Sequence, residues 1–218
     1  MNSTVYGRRR GRGWLIGIVA MAAVVVASNI LVQYPVAATI GPLNLADLLT
    51  WGAFTYPLAF LVNDLTNRRF GPHVARSVVF VGFAFAVALS VYLATPRIAI
   101  ASGTAFLIAQ LLDVGIFNRL REQAWWRAPV LSSLVGSLVD TVIFFSLAFA
   151  AAFVVLGPND AFAIERAPLL GALGFIEVPR WVSWALGDLG VKIIVALAAL
   201  GPYRIALQLF FRPEPARG

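Results

Sequence analysis

The feature that most constrains this chain is a succession of long apolar runs almost free of charge. The first, residues 14–34, contains 21 residues and no ionisable side chain. A helix rises about 1.5 Å per residue, so about 20 apolar residues cross a hydrocarbon layer about 30 Å thick. Further runs occupy 45–65, 77–95, 98–118, 130–156 and 181–203. Of the 218 residues, 60% are hydrophobic and 12% are charged, against about 25% charged in a soluble domain. A domain of this size leaves much of its surface in solvent, so the excess apolar surface requires lipid. Backbone groups in lipid need internal partners, and runs this apolar are helices rather than barrel strands.

The expected architecture is therefore an all-α, polytopic membrane protein with six transmembrane helices. Arginine placement sets the orientation. Thirteen of the sixteen arginines fall at the N-terminus (Arg8, Arg9, Arg10, Arg12), in the second and fourth links and at the C-terminal end. Only Arg97, Arg166 and Arg180 fall on the other side. Both termini are thus expected to be cytoplasmic. The division is an Arg-rich cytoplasmic N-terminus (1–13), a six-helix transmembrane domain (14–211) and a cytoplasmic tail (212–218), in the cell inner membrane. The first run exceeds the usual length of a signal-peptide core and reads as an uncleaved signal-anchor. The longer link 157–180 has an apolar centre, 169–176, too short to span, which reads as interfacial or partly re-entrant.

Several function classes drop out. The chain has no cysteine, and His73 is its only histidine, so thiol chemistry and multi-histidine metal sites are excluded. No phosphate-binding glycine loop or nucleophile elbow occurs. The net charge of +7 follows from membrane topology, so nucleic acid is not an expected partner. No cofactor is expected.

Ionisable residues inside apolar runs carry the most information, because a charge at a helix centre costs about 2.5–3.5 kcal/mol on insertion scales. Asp113, Asp140, Asp188 and Lys192 qualify. Lys192 is the chain's only lysine and lies midway along the sixth run. Asp188 precedes it by four residues, the favourable order for an intrahelical pair. In the fourth run Gln110, Asp113 and Phe117 share one face. In the fifth, Ser133, Gly136, Ser137 and Asp140 form a small polar face, suited either to a site or to close helix packing. Asp140 lies about ten residues, or roughly 15 Å, into the membrane. A midplane cluster of Gln110, Asp113, Asp140 and Lys192 is expected to bind a small polar molecule. The second run adds Trp51, Thr55, Tyr56, Pro57 and Asn63-Asp64, with Asp64 read as a surface ion pair with Arg68.

These segments resemble the bacterial queuosine precursor transporters of the vitamin uptake transporter class. The resemblance rests on 51–58 running to Asp64, on Phe70-Gly71, on Gln110-Leu111-Leu112-Asp113 through Phe117, on Ser133 through Asp140-Thr141, and on Gly187 through Lys192. It covers roughly 29–203 and departs at Arg68, where an acidic residue is common. It implies a six-helix importer of 7-deazaguanines such as 7-cyano-7-deazaguanine, and the residue reading offers Gln110, Asp113, Phe117, Ser133, Asp140, Asp188, Lys192 and Trp51 to bind it. A carboxylate suits the adjacent N–H donors of a 2-amino-4-oxo edge, and aromatic rings suit its faces. The expected partners are that heterocycle, the bilayer and a second copy of the chain in a homodimer. Two alternatives stand beside this reading. One is a substrate-binding subunit of an ATP-driven uptake system. The other is an intramembrane enzyme using Asp113 and Asp140.

Overall fold

The computed structural model describes residues 3–171 and 175–210. The expected tail 212–218 lies outside the described residues, as do residues 1 and 2 of the expected N-terminal segment. From Ser3 the chain is already helical, in α1 (Ser3–Leu31). Two short strands, β1 (Thr39–Ile40) and β2 (Leu43–Asn44), pair antiparallel around Gly41. A 3₁₀ turn, Leu45–Asp47, follows. Then come α2 (Gly52–Thr55), α3 (Leu58–Phe70), α4 (Pro72–Leu93), α5 (Pro96–Leu120) and α6 (Arg127–Phe149). After a second 3₁₀ turn, Ala151–Leu156, the chain forms α7 (Ala161–Ile164), the hairpin β3 (Arg166–Pro168) and β4 (Glu177–Pro179), α8 (Arg180–Ala198) and α9 (Leu200–Phe210).

Among the described residues, five helical stretches are long and apolar enough to cross a membrane: Trp14–Leu31, Pro72–Leu93, Pro96–Leu120, Arg127–Phe149 and Arg180–Leu209, the last combining α8 and α9. This is a multi-pass membrane protein. The second expected span, 45–65, is not a continuous helix. Its first residues form the 3₁₀ turn, and Pro57 breaks the remainder into α2 and α3. Proline has no N–H to donate, and its ring displaces the carbonyl one turn earlier. The chain passes the break on tight bonds, Ala59 N–H to Tyr56 (3.0 Å) and Phe60 N–H to Pro57 (3.1 Å).

Helix α5 packs against α3, α4 and α6; α1 lies on α3 and α4, and α8 lies on α6. Glycines permit the closest approaches. A Cβ on Gly136 would fall 2.6 Å from the Phe60 ring, and one on Gly82 would fall 2.6 Å from Met21. Such approaches supply the dispersion contact that drives helix association where water is absent.

The buried Arg97 guanidinium ties the start of α5 to the end of α6. It donates to the carbonyls of Leu147 (2.9 Å), Ala150 (2.7 Å), Gly157 (3.2 Å) and Pro158 (3.1 Å), and to Asn159 Oδ1 (3.0 Å). It thereby caps orphan carbonyls that a helix end leaves without intrahelical donors. The link 157–180 folds as α7 plus the β3–β4 hairpin, stapled by Arg180 to Glu165 (3.1 Å). Of its apolar centre, residues 172–174 lie outside the described residues; Leu169 N–H bonds the Ile176 carbonyl (2.9 Å), and Leu170 and Gly171 adopt positive φ.

Candidate functional site

Helices α3 and α6 run antiparallel and meet at three levels spaced about four residues apart. At the first, Tyr56 O–H donates to Asp140 Oδ1 (3.0 Å). At the second, the Phe60 ring lies against Gly136. At the third, Ser132 and Ser133 hydroxyls donate to Asp64 (3.3 and 3.5 Å). The ladder spans roughly 12 Å. Its outer levels are polar and its middle level is apolar.

Level one is the floor of a cavity of about 540 Å³. Lys192 Nζ donates to Asp140 Oδ2 (2.7 Å), Asp188 Oδ2 (2.5 Å) and Thr141 Oγ1 (3.1 Å). An ammonium has three protons, and all three are used. Thr141 passes its own proton to Asp188 Oδ2 (2.9 Å). Among the described residues, no hydrogen bond reaches Asp188 Oδ1, and Asp188 lines the cavity. One ammonium against two carboxylates leaves the floor one negative charge. Lys192 Nζ also lies 5.4 Å from the Tyr56 ring centroid, a cation–π distance. The expected Asp188–Lys192 pair is present, and it extends across to α6.

The walls are aromatic. Trp184 meets Phe149 edge-on at 5.5 Å, and Phe162 lies 6.1 Å from Trp184. Phe144 and Phe145 continue the wall. Ser28 and Asn29 of α1, Ser102 of α5, Arg180 of α8 and the 46–50 turn complete it. Every contributing helix end lies on the side of the C-terminus of α1. The size and the mixture of apolar walls with a few polar groups match a small-molecule site.

Level three forms a separate seam among α3, α5 and α6. Asn63 Nδ2 donates to Asp113 Oδ2 (2.9 Å) and to the Gln110 carbonyl (3.2 Å). Asn67 Nδ2 donates to the Val114 carbonyl (3.1 Å). The Gln110 side chain is buried here without a hydrogen-bond partner. The expected single cluster of Gln110, Asp113, Asp140 and Lys192 is thus divided in two. Phe60, seated on Gly136, fills the space between the halves. Of the sequence candidates, Asp140, Asp188 and Lys192 line the cavity, whereas Gln110, Asp113, Phe117, Ser133 and Trp51 do not. Phe117 is fully buried beneath Arg68, whose guanidinium carbon lies 5.2 Å from the ring centroid. Trp51 is half exposed and abuts Phe54 at 5.7 Å.

Asp64 also departs from its expectation. It is 2% exposed and bonded to serines, not held in a surface pair. Arg68 instead donates to the Tyr203 hydroxyl (3.0 Å) and the Arg121 carbonyl (2.6 Å). Sequence reasoning offered Tyr56 and Asn63 only as polar features of the second run, and it left Thr141, Trp184 and Asn67 outside the site. A usable signal existed: Tyr56, Phe60 and Asp64 repeat every four residues, as do Ser132, Gly136 and Asp140.

A family described as "Putative vitamin uptake transporter" matches residues 50–95 and 89–206. The "Queuosine precursor transporter" of Escherichia coli (strain K12) is 32% identical over 211 residues, covering 87% of this chain and 84% of that protein. The "Probable queuosine precursor transporter" of Haemophilus influenzae is 39% identical over 180 residues, covering 70% and 74%. A Bacillus subtilis protein with the same description is 26% identical over 187 residues, covering 73% of this chain and 71% of that protein. No solved structure matches. The matched segments contain both the cavity floor and the Asn63–Asp113 seam, and the chain belongs to the vitamin uptake transporter family, among the queuosine precursor transporters.

Proposed function

We propose that this chain imports queuosine precursors, 7-cyano-7-deazaguanine and related 7-deazaguanines, across the cell inner membrane. In this reading it spans six times with both termini cytoplasmic, the broken α2–α3 segment being the second crossing. The arginine asymmetry supports that orientation, and it turns the cavity toward the extracytoplasmic side. Broken helices beside a polar site near mid-membrane are a recurrent construction in transporters. The role is transport and not catalysis.

The observation that carries the reading is the charged floor beneath aromatic walls. Lys192, saturated by its three bonds, serves as a fixed counter-charge that holds Asp140 and Asp188 in place. Asp188 Oδ1 is free to accept the N–H donors of a 2-amino-4-oxo edge, with Asp140 beside it. Phe149 and Trp184 offer surfaces for the flat ring, a contact worth about 1–3 kcal/mol per base in nucleic-acid sites. A floor built of acceptors rejects a base that presents acceptors in their place, since its own groups are left unpaired.

The test is uptake of labelled 7-cyano-7-deazaguanine by cells unable to make it, with and without the chain. Chain-dependent uptake is expected, with excess adenine competing poorly. Absence of chain-dependent uptake overturns the function. Equal competition by adenine overturns the carboxylate readout.

A further inference from the structure

We propose that the seam among α3, α5 and α6 is a binding site for a monovalent alkali cation, Na⁺. Two fully or almost fully buried carboxylates, Asp64 and Asp113, face this seam without an ion pair to either among the described residues. Four buried oxygens here also lack a protein donor: Asn63 Oδ1, Asn67 Oδ1, Gln110 Oε1 and Asp113 Oδ1. Asn63 is fixed beside Asp113 by its 2.9 Å amide bond, so its orphan carbonyl oxygen belongs to the same polar centre.

The chemistry narrows the occupant. Orphan acceptors in hydrocarbon are costly, and intramembrane carboxylates mark ion pathways. All the donors are oxygens: two carboxylates, amide carbonyls and the Ser132 and Ser133 hydroxyls. Such a set suits a hard cation, and no cluster of three His, Cys, Asp or Glu exists among the described residues. Arg68, one turn after Asp64, offsets one of the two negative charges, leaving one to be balanced. A single added proton could satisfy one orphan oxygen. One alkali ion with several oxygen ligands could satisfy most of them while supplying the same charge. Na⁺ is the alkali ion whose gradient ordinarily points into a cell. Because α6 carries both this seam and the cavity floor, and Tyr56 of the floor leads directly into α3, occupancy of one end restrains the other. That linkage constitutes coupling.

Binding is tested on the purified chain without substrate, so its outcome is separable from the transport reading. Melting is compared in NaCl, KCl and choline chloride at equal ionic strength. At a Na⁺ concentration a hundred times the Kd, the melting temperature should rise by about 5–10 °C over choline. The rise should vanish in Asp64→Asn, Asp113→Asn and Asn67→Ala, and persist in Asp188→Asn. Equal melting in Na⁺ and choline overturns the site. So does an equal rise in K⁺, a rise that survives in both seam Asp variants, or stabilisation by added acid with no effect of Na⁺. If the variants do not fold, the three-salt comparison on the unaltered chain still decides. In proteoliposomes, an inward Na⁺ gradient should accelerate uptake of labelled 7-cyano-7-deazaguanine about tenfold. This second arm rests on the proposed function.

Discussion

Replacing Lys192 with methionine keeps the length and apolarity of the side chain and removes its charge. The structure sets the size of the effect. Lys192 is 3% exposed and supplies three hydrogen bonds, two of them to carboxylates. Without it, Asp140 and Asp188 face each other across the floor with Tyr56 and Thr141 as their remaining donors. Removing one partner of a buried pair costs about 3–5 kcal/mol. An independent bound agrees. A stranded carboxylate escapes by taking up a proton, and for an ordinary Asp at pH 7 that costs about 4 kcal/mol. Lys192→Met should therefore lower the melting temperature by about 6–20 °C, at about 2–4 °C per kcal/mol for a chain of this size. The deficit should shrink as pH falls from 8 to 5, because protonation removes the unpaired charge. Adding Asp188→Asn restores the charge balance and should recover much of the stability. Uptake should stay abolished, because the carboxylate facing the cavity is gone and an amide in its place presents a donor beside its one acceptor. The assay is melting of purified variants beside uptake measured per unit of protein in the membrane. A Lys192→Met chain that melts like wild type and transports at its rate would refute both the counter-charge role and the location of the site.

Three further outcomes follow from the same geometry. Gly136→Ala drives a methyl into Phe60 at 2.6 Å, so α3 must shift from α6; a loss of about 1–3 kcal/mol and reduced uptake are expected, read by melting and transport. Arg97→Ala strands four carbonyls around the end of α6, at about 1–3 kcal/mol for each that stays dry, and Arg97→Lys should rescue only part of the lost melting temperature because an ammonium lacks the planar fork. Ser102→Cys, placed in a chain without cysteine, should react with a membrane-impermeant maleimide from outside intact cells and be protected by 7-cyano-7-deazaguanine; labelling only after lysis would reverse the orientation.

The spanning helices were legible because hydrocarbon thickness acts on every residue of a run, and a run without charge has few alternatives. The Asp188–Lys192 pair was legible for a similar reason, since a four-residue spacing lies within one helix. The division of the polar centre was not. Periodicity tells which residues share a face, but not which neighbouring helix that face meets. Asp113 meets Asn63 and not Lys192, while the Gln110 side chain is buried away from the cavity, and only packing decides this. Asp64 misled because it lies near the end of an apolar run with Arg68 one turn on, a pattern usual for a solvated pair. Its burial follows from packing, since α3 lies against α5 and α6 and Ser132 and Ser133 meet the carboxylate there.

The polarity of α3 bears on how the chain is built. Asn63, Asp64, Thr66 and Asn67 are all buried on one short helix, and a central Asp alone costs about 2.5–3.5 kcal/mol to insert. The groups that satisfy them, Gln110, Asp113 and Val114 of α5 and Ser132 and Ser133 of α6, are synthesised more than 40 residues later. A ribosome that has delivered α3 has not yet made the surface that makes α3 tolerable in lipid. The segment must therefore wait at the translocon or the headgroup layer and be drawn in when α5 and α6 arrive. Chains truncated after α4 should leave it accessible to water, and degradation of such fragments would report on an assembly order written into one polar helix.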